Sequence, residues 1–160
     1  MTIAELLCAA YVALALPNAD TACENMNTVV DAAEKYDVEP SVMVSLIFVE
    51  SRWSPRAVSR DGACGLTQIL PRYTAGFRNR FGKKLTCKQL FDSETSIRRG
   101  TKILSSYNAG PRRCRRGIAK NKGHRYAKKV LRIAKSLRKE MREIEEDEGY
   151  ANEDVPGCYE

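Results

Sequence analysis

The residue whose setting most invites chemistry is Glu50. It closes an apolar run, Met43-Val-Ser-Leu-Ile-Phe-Val-Glu50. Helical spacing puts Met43, Leu46, Ile47 and Glu50 on one face, so a carboxylate points where apolar side chains point. Burial disfavours the ionised form, and the negative end of a helix dipole acts the same way; both raise the pKa. A carboxylic acid that stays protonated near neutral pH can serve as a general acid. The plainer alternative is a Glu at a frayed helix end, solvated or paired with Arg52 or Arg56. Trp53 and Pro55 stop the helix, a loop punctuated by Gly62 and Gly65 follows, and a short apolar segment then carries one polar side chain, Gln68.

Other reactive residue types offer less. Asp61 is the nearest second carboxylate, but its Asp61-Gly62 setting favours a turn. The single histidine, His124, stands at an expected helix start. Six cysteines, none at C-x-x-C spacing, argue against a zinc site, and nothing in the chain calls for a metal or a cofactor. Their number allows up to three disulfides in an oxidising compartment and equally allows free buried thiols.

The elements that must position Glu50 read as helices. A T-x-x-E pattern at Thr2 and Glu5 predicts a capping box opening a helix over 2–16, with Ile3, Leu6, Leu7, Ala10, Tyr11 and Leu14 on one face. This favours a packed N-terminal helix over a cleaved signal, since Glu5 sits where a signal peptide carries positive charge. Thr21 and Glu24 repeat the spacing, predicting a second helix to about Tyr36. Pro40 opens a third helix through Ser51. Residues 54–65 read as loop, with room for a short hairpin. Pro71 to Phe81 reads as a short helix broken at Gly76, and Thr86 as the cap of a turn. Ser93 or Glu94 opens a helix through Ser106, where Gly100 gives close approach or weakens it. Tyr107-Asn-Ala-Gly-Pro111 is a terminator. From His124 to about Glu146, Tyr126, Val130, Ile133, Ala134, Leu137, Met141 and Ile144 follow one long helix face. The division expected is an N-terminal helical region (1–36), a main domain (37–146) and an acidic tail (147–160). The fold class expected is mainly α.

Charge is segregated. The net charge is +7, and residues 112–142 hold 14 of the 27 Lys and Arg, whereas residues 143–160 hold eight acids and no base. Such a surface attracts polyanions. Aromatic residues are not interleaved at base-stacking spacing, which argues against specific nucleic-acid recognition. The apolar run at Leu6–Leu16 is too short to cross a bilayer, so no transmembrane segment is expected. Lys83 and Lys84 read as a solvated loop.

Three blocks carry a resemblance. Glu50-Ser-Arg-Trp-Ser-Pro-Arg-Ala-Val-Ser59 with Gly62-Ala-Cys-Gly-Leu-Thr-Gln68-Ile-Leu-Pro71 resembles the E-S-x-x-x-P-x-A-x-S…G-A-x-G-L-x-Q-I-x-P signature of soluble lytic transglycosylases of the lysozyme superfamily. Ser106-Tyr107-Asn108-Ala109-Gly110-Pro111 resembles their A-Y-N-A-G-P motif, and His124-Arg125-Tyr126-Ala127-Lys128-Lys129-Val130 resembles their weaker E-T-x-x-Y-V-x-x-V segment. The blocks stand in family order over roughly residues 40–135.

The resemblance implies a goose-lysozyme-like single domain with a saccharide cleft. Its substrate would be peptidoglycan, cleaved at the β-1,4 bond between N-acetylmuramic acid and N-acetylglucosamine. Glu50 matches the catalytic acid/base. Ser59 and Gln68 match positions that hydrogen-bond the sugar, and Leu70 stands where a Met often lies against it. Tyr107 matches the tyrosine that orients the catalytic Glu, with Asn108 after it; Tyr126 matches a C-terminal cleft tyrosine. Ordinary glycosidases need two carboxylates, whereas this motif holds one. A transglycosylase manages with one by using the sugar's own 6-hydroxyl, leaving a 1,6-anhydromuramic end. His124 and Arg125 replace the usual Glu-Thr. Cys64 beside Gly65 reads as a small core residue or as a disulfide bridge to Cys114, next to the second motif. A short build without a wall-binding module or clear export signal suits a phage enzyme acting on the wall from the periplasm, as a virion component beside other virion or tail proteins or as an endolysin. The alternatives are a periplasmic bacterial enzyme, a hydrolytic lysozyme, or a non-catalytic virion or wall-binding protein.

Overall fold

The computed structural model describes residues 1–107 and 122–151. In chain order it places α1 (Ile3–Ala13), α2 (Ala19–Glu24), α3 (Met26–Lys35), α4 (Pro40–Ser51), two 3-10 turns (Pro71–Tyr73 and Phe77–Asn79), α5 (Cys87–Leu90), α6 (Ser93–Tyr107) and α7 (Lys122–Ala151). Among the described residues there is no strand, only isolated antiparallel bridges pairing Cys64 with Val58 and with Ile69. The class is mainly α, as expected.

Local chemistry explains where the helices start and stop. The capping box at α1 forms: Glu5 N donates to Thr2 Oγ1 (3.2 Å) and Thr2 N to Glu5 Oε2 (2.7 Å). α1 stops earlier than expected, because Ala15 turns left-handed (φ 50°) and the Tyr11 hydroxyl ties down the Pro17 carbonyl at 2.8 Å. The expected helix from Thr21 to Tyr36 is two helices. Asn25 leaves helical geometry (φ −105°, ψ 1°), and its side-chain amide donates to the Thr21 carbonyl at 2.8 Å, competing with the backbone ladder. A disulfide from Cys8 to Cys23 pins α1 to α2.

α4 is the central helix. Met43, Val44 and Ile47 are fully buried, and so are Ser41 and Ser45, whose small side chains let neighbouring helices come close. Ser45 Oγ satisfies itself on the Ser41 carbonyl at 2.7 Å. Leu46 and Glu50 lie one turn apart on a half-buried edge. α7 packs along α4 and α1, and α3 packs on α6, α1 and α4. The α7 face read from the sequence is the one that packs: Val130, Ala134 and Leu137 are buried, with Ile133, Met141 and Ile144 against the same core. Arg138 Nη1 fixes its register by donating to both Glu39 carboxylate oxygens (2.7 and 2.8 Å) and to Ser41 Oγ (3.1 Å). α7 runs on to Ala151, beyond the end expected at Glu146.

The segment expected as one short helix from Pro71 is two 3-10 turns, with Gly76 between them at φ 69°. The Thr86 cap forms with Gln89. At α6 the cap is Asp92, whose carboxylate accepts from Thr95 N at 2.8 Å. No described helix is long and apolar enough to cross a membrane.

Candidate active site

Glu50 occupies the last turn of α4. The chain then reverses through Arg52 and Trp53, both left-handed (φ 51° and 59°). Non-glycine residues in that region cost about 1–3 kcal/mol each and persist only where packing over-determines them. Here it does. Trp53 is fully buried, edge-on to Tyr11 with centroids 6.2 Å apart, and Asn18 Nδ2 donates to the Arg52 carbonyl at 2.7 Å. The junction between α1 and α2 thus holds the exit from the Glu50 turn. Nothing in the sequence pattern pointed to that long-range support.

The loop after it folds on itself. Ser59 N donates to the Ala63 carbonyl (2.9 Å) and Ser59 Oγ accepts from Ala63 N (3.0 Å). Gln68 Nε2 donates to the carbonyls of Ala57 (3.0 Å) and Gly65 (2.9 Å), leaving Oε1 as the amide's acceptor. Ser59 and Gln68 therefore sit in one self-braced loop, each with much of its hydrogen-bonding capacity turned inward. Gly65 (φ 77°) is required there, since a Cβ would fall on the Leu90 carbonyl. Leu70 is half-buried and leads into the first 3-10 turn.

Two attachments fix this loop to the body. Thr67 N donates to Ser96 Oγ (3.2 Å) and Thr67 Oγ1 to the Ser96 carbonyl (3.1 Å), bolting it to α6. Gly100 lies one turn on, where a Cβ would strike the Thr67 side chain, so its role is close approach. The second attachment is a disulfide. Cys64 is bonded to Cys87 on α5, with Cα atoms 5.4 Å apart. This corrects the expected bridge to Cys114: folding brings the first turn of α5 within disulfide reach of the loop, and the Cys64 sulfur is already taken. Cys114 lies outside the described residues.

Tyr126 completes the constellation. It lies one turn before Val130 on the packed face of α7, and its hydroxyl donates to Glu50 Oε1. Burial pushes the Glu50 carboxyl above its ordinary value, and the Tyr126 hydrogen bond opposes that shift by stabilising the carboxylate. Burial first, then the bond to Glu50, pushes the Tyr126 phenol well up, so it remains a neutral donor. The tyrosine observed on Glu50 is thus Tyr126, reached from the third motif. Tyr107 ends α6 with its side chain outside the described residues, as is Asn108. Asp61 is exposed in its turn, where Gly62 N donates to the Ser59 carbonyl at 3.0 Å.

A half-buried carboxyl with a raised pKa, braced by a neutral phenol at the end of the central helix, suits proton transfer to a bound group. The Transglycosylase SLT domain family model matches residues 27–141, which include every residue of this constellation. The chain belongs to that family. The SLT domain carries the lysozyme-like, mainly α fold described above, with the Glu50 turn, the braced loop and α7 all inside the match. The chain is similar to "Membrane-bound lytic murein transglycosylase C" of Photorhabdus laumondii subsp. laumondii, 37% identical over 127 residues, covering 71% of this chain and 34% of that protein. It is also similar to the protein of that name from Serratia proteamaculans, 39% identical over 79 residues, covering 46% of this chain and 22% of that protein. The chain spans about a third or less of the length of these relatives.

Proposed function

We propose that this SLT domain is a peptidoglycan lytic transglycosylase, cleaving the β-1,4 bond between N-acetylmuramic acid and N-acetylglucosamine. The observation that carries the reading is the Glu50 carboxyl, held above its ordinary pKa by burial and braced by Tyr126. Family membership and relatives whose names specify lytic murein transglycosylases support it.

In this mechanism protonated Glu50 gives its proton to the glycosidic oxygen as the bond to muramic C1 breaks, and the N-acetyl oxygen assists at C1. Glu50, now a carboxylate, takes the proton of the same sugar's 6-hydroxyl, whose oxygen closes on C1. Proton count balances, Glu50 ends protonated, and no water is consumed. A tethered nucleophile brings the rate advantage of an intramolecular reaction. Tyr126 steadies the transient carboxylate. Ser59, Gln68, Leu70, Tyr107 and Asn108 are proposed to hold the glycan.

The reading extends to the setting. Two disulfides, Cys8–Cys23 and Cys64–Cys87, suit an oxidising compartment such as the periplasm. There the domain would open the wall during phage penetration or lysis, as a virion component or endolysin; a periplasmic bacterial enzyme is the second setting, favoured by the bacterial source of the relatives. The division into a packed N-terminal region (1–36), a catalytic domain (37–146) and an acidic tail belongs to the same proposal. The test is digestion of purified peptidoglycan with mass analysis of the products. Anhydromuramic ends are expected. Reducing ends would replace the lyase with a hydrolase, and no release would leave only a binding protein.

A further inference from the structure

Away from Glu50, a second pocket of about 210 Å³ opens among Tyr36, Phe81, Thr95, Arg98, Arg99 and Lys102. We propose that this pocket binds a phosphorylated sugar, its phosphate among the three cations and its ring against the two aromatics. The inference goes beyond the proposed glycan cleavage, since neither Glu50 nor Tyr126 lines the pocket.

The charge balance is the first argument. Arg98, Arg99 and Lys102 stand on adjacent turns of α6, so helical spacing gathers them on one side. Arg99 is half-buried and, among the described residues, donates to neutral carbonyls, those of Thr74 and Lys83. Among the described residues no carboxylate lies within 4.0 Å of Arg99 or Lys102. Burial depresses the Arg99 guanidinium, and the neighbouring Tyr36 opposes that shift. Arg98 does have a counter-ion, Glu94, at 2.7 Å on its Nε, with Asp31 also acting on it; the terminal guanidinium nitrogens remain as donors. Thr95 lines the same pocket with its side chain turned to the Asp92 carboxylate, so the donors left for a ligand are the cations. Arginine with lysine forms an oxyanion-binding set.

The walls are the second argument. Tyr36 and Phe81 supply flat apolar faces of the kind that pack against the C–H face of a pyranose. Both rings already carry a cation: Lys35 Nζ lies 5.7 Å from the Tyr36 centroid, and the Arg80 guanidinium 5.2 Å from that of Phe81. Lys35 and Arg80 thus add positive charge beside the walls, against the acids Glu94, Asp31 and Asp92 that face Arg98 and Thr95. The volume suits one ring with its phosphate rather than a length of glycan, because sites for larger ligands run to about 300–1,000 Å³.

The test uses the full chain and N-acetylglucosamine 1-phosphate, titrated by calorimetry and by NMR. Saturable binding is expected at about millimolar Kd. Lys102→Glu, which removes no carbonyl contact, is expected to weaken it by about tenfold or more, and Phe81→Leu to weaken it while sparing inorganic phosphate. Digestion of peptidoglycan by Lys102→Glu is expected to be unchanged, which separates this site from the fate of Glu50. A glycosyl-phosphate polymer that binds more tightly than the monomer identifies a chain-borne phosphate as occupant, and equal binding identifies the free sugar phosphate. No saturation in the wild type, unchanged affinity in Lys102→Glu, or equal binding of unphosphorylated N-acetylglucosamine would overturn the proposal.

Discussion

The Tyr126 hydroxyl, on the first half of α7, donates a hydrogen bond to the Glu50 carboxylate at the end of α4, 76 residues earlier in the chain. Two helices that pack lengthwise meet at their functional ends. α7 is held in register by Arg138 on Glu39, at the opposite end of α4, so the contact depends on the full length of the packing.

Glu50→Gln is expected to lower glycan cleavage by about a thousandfold, within the range for losing general acid–base catalysis. The assay is release of soluble muropeptides, with circular dichroism to confirm the fold. A variant that digests as fast as the wild type would remove Glu50 from the mechanism.

Glu50→Gln should also change stability in a pH-dependent way. The Glu50 carboxyl titrates above its ordinary 4.5 in the folded chain. Below the unfolded value both states are protonated, and burial carries no charge penalty. As pH rises through that value and on to the folded one, the unfolded chain ionises first and stability falls. The variant should therefore melt a few degrees above the wild type near neutral pH, and the gain should vanish in acid. An equal difference at every pH would contradict the burial argument.

Tyr126→Phe keeps the packing and deletes the hydroxyl. The hydrogen bond lowers the Glu50 pKa, so its loss raises that pKa further. The alkaline limb of the rate–pH profile should move to higher pH, while the maximal rate falls by about tenfold or more as the transient carboxylate loses its donor. A profile that stays in place would show that the phenol does not act on Glu50.

Gly100→Ala tests the bolt between α6 and the motif loop. In an exposed helix this change stabilises by about 1 kcal/mol. Here the new methyl would strike Thr67, which is buried and held by Ser96, so destabilisation of about 1–3 kcal/mol is expected. Adding Thr67→Ala should recover part of the loss, a coupling that chemical denaturation of the single and double variants would measure.

Replacing Cys8 and Cys23 together by Ala is expected to cost about 2–4 kcal/mol, because the bridge ties α1 to α2 behind the Trp53 turn. Denaturation with and without reductant gives the check: reduction should cost the wild type more than it costs the double variant.

Much of this protein could be read from its residues alone. Periodicity gave the packed face of α7, and local patterns gave the proline start of α4, the capping box at Thr2 and the cap at Thr86, because these depend on neighbours within one or two turns; the box read at Thr21 did not form, since α2 already starts at Ala19. Glu50 stood out because a carboxylate on an apolar face conflicts with its local pattern, and motif order then gave the family. Tertiary structure decided what spacing cannot carry. It paired Cys64 with Cys87, since sulfur pairing follows spatial reach rather than chain order. It split the second helix at Asn25, where one side-chain hydrogen bond outweighed the pattern. It turned the side-chain amide of Gln68 inward and set Trp53 edge-on to Tyr11 to hold two left-handed residues behind the site. It brought Tyr126 to Glu50, because long-range packing of whole helix faces, invisible in any short window, sets which side chains meet.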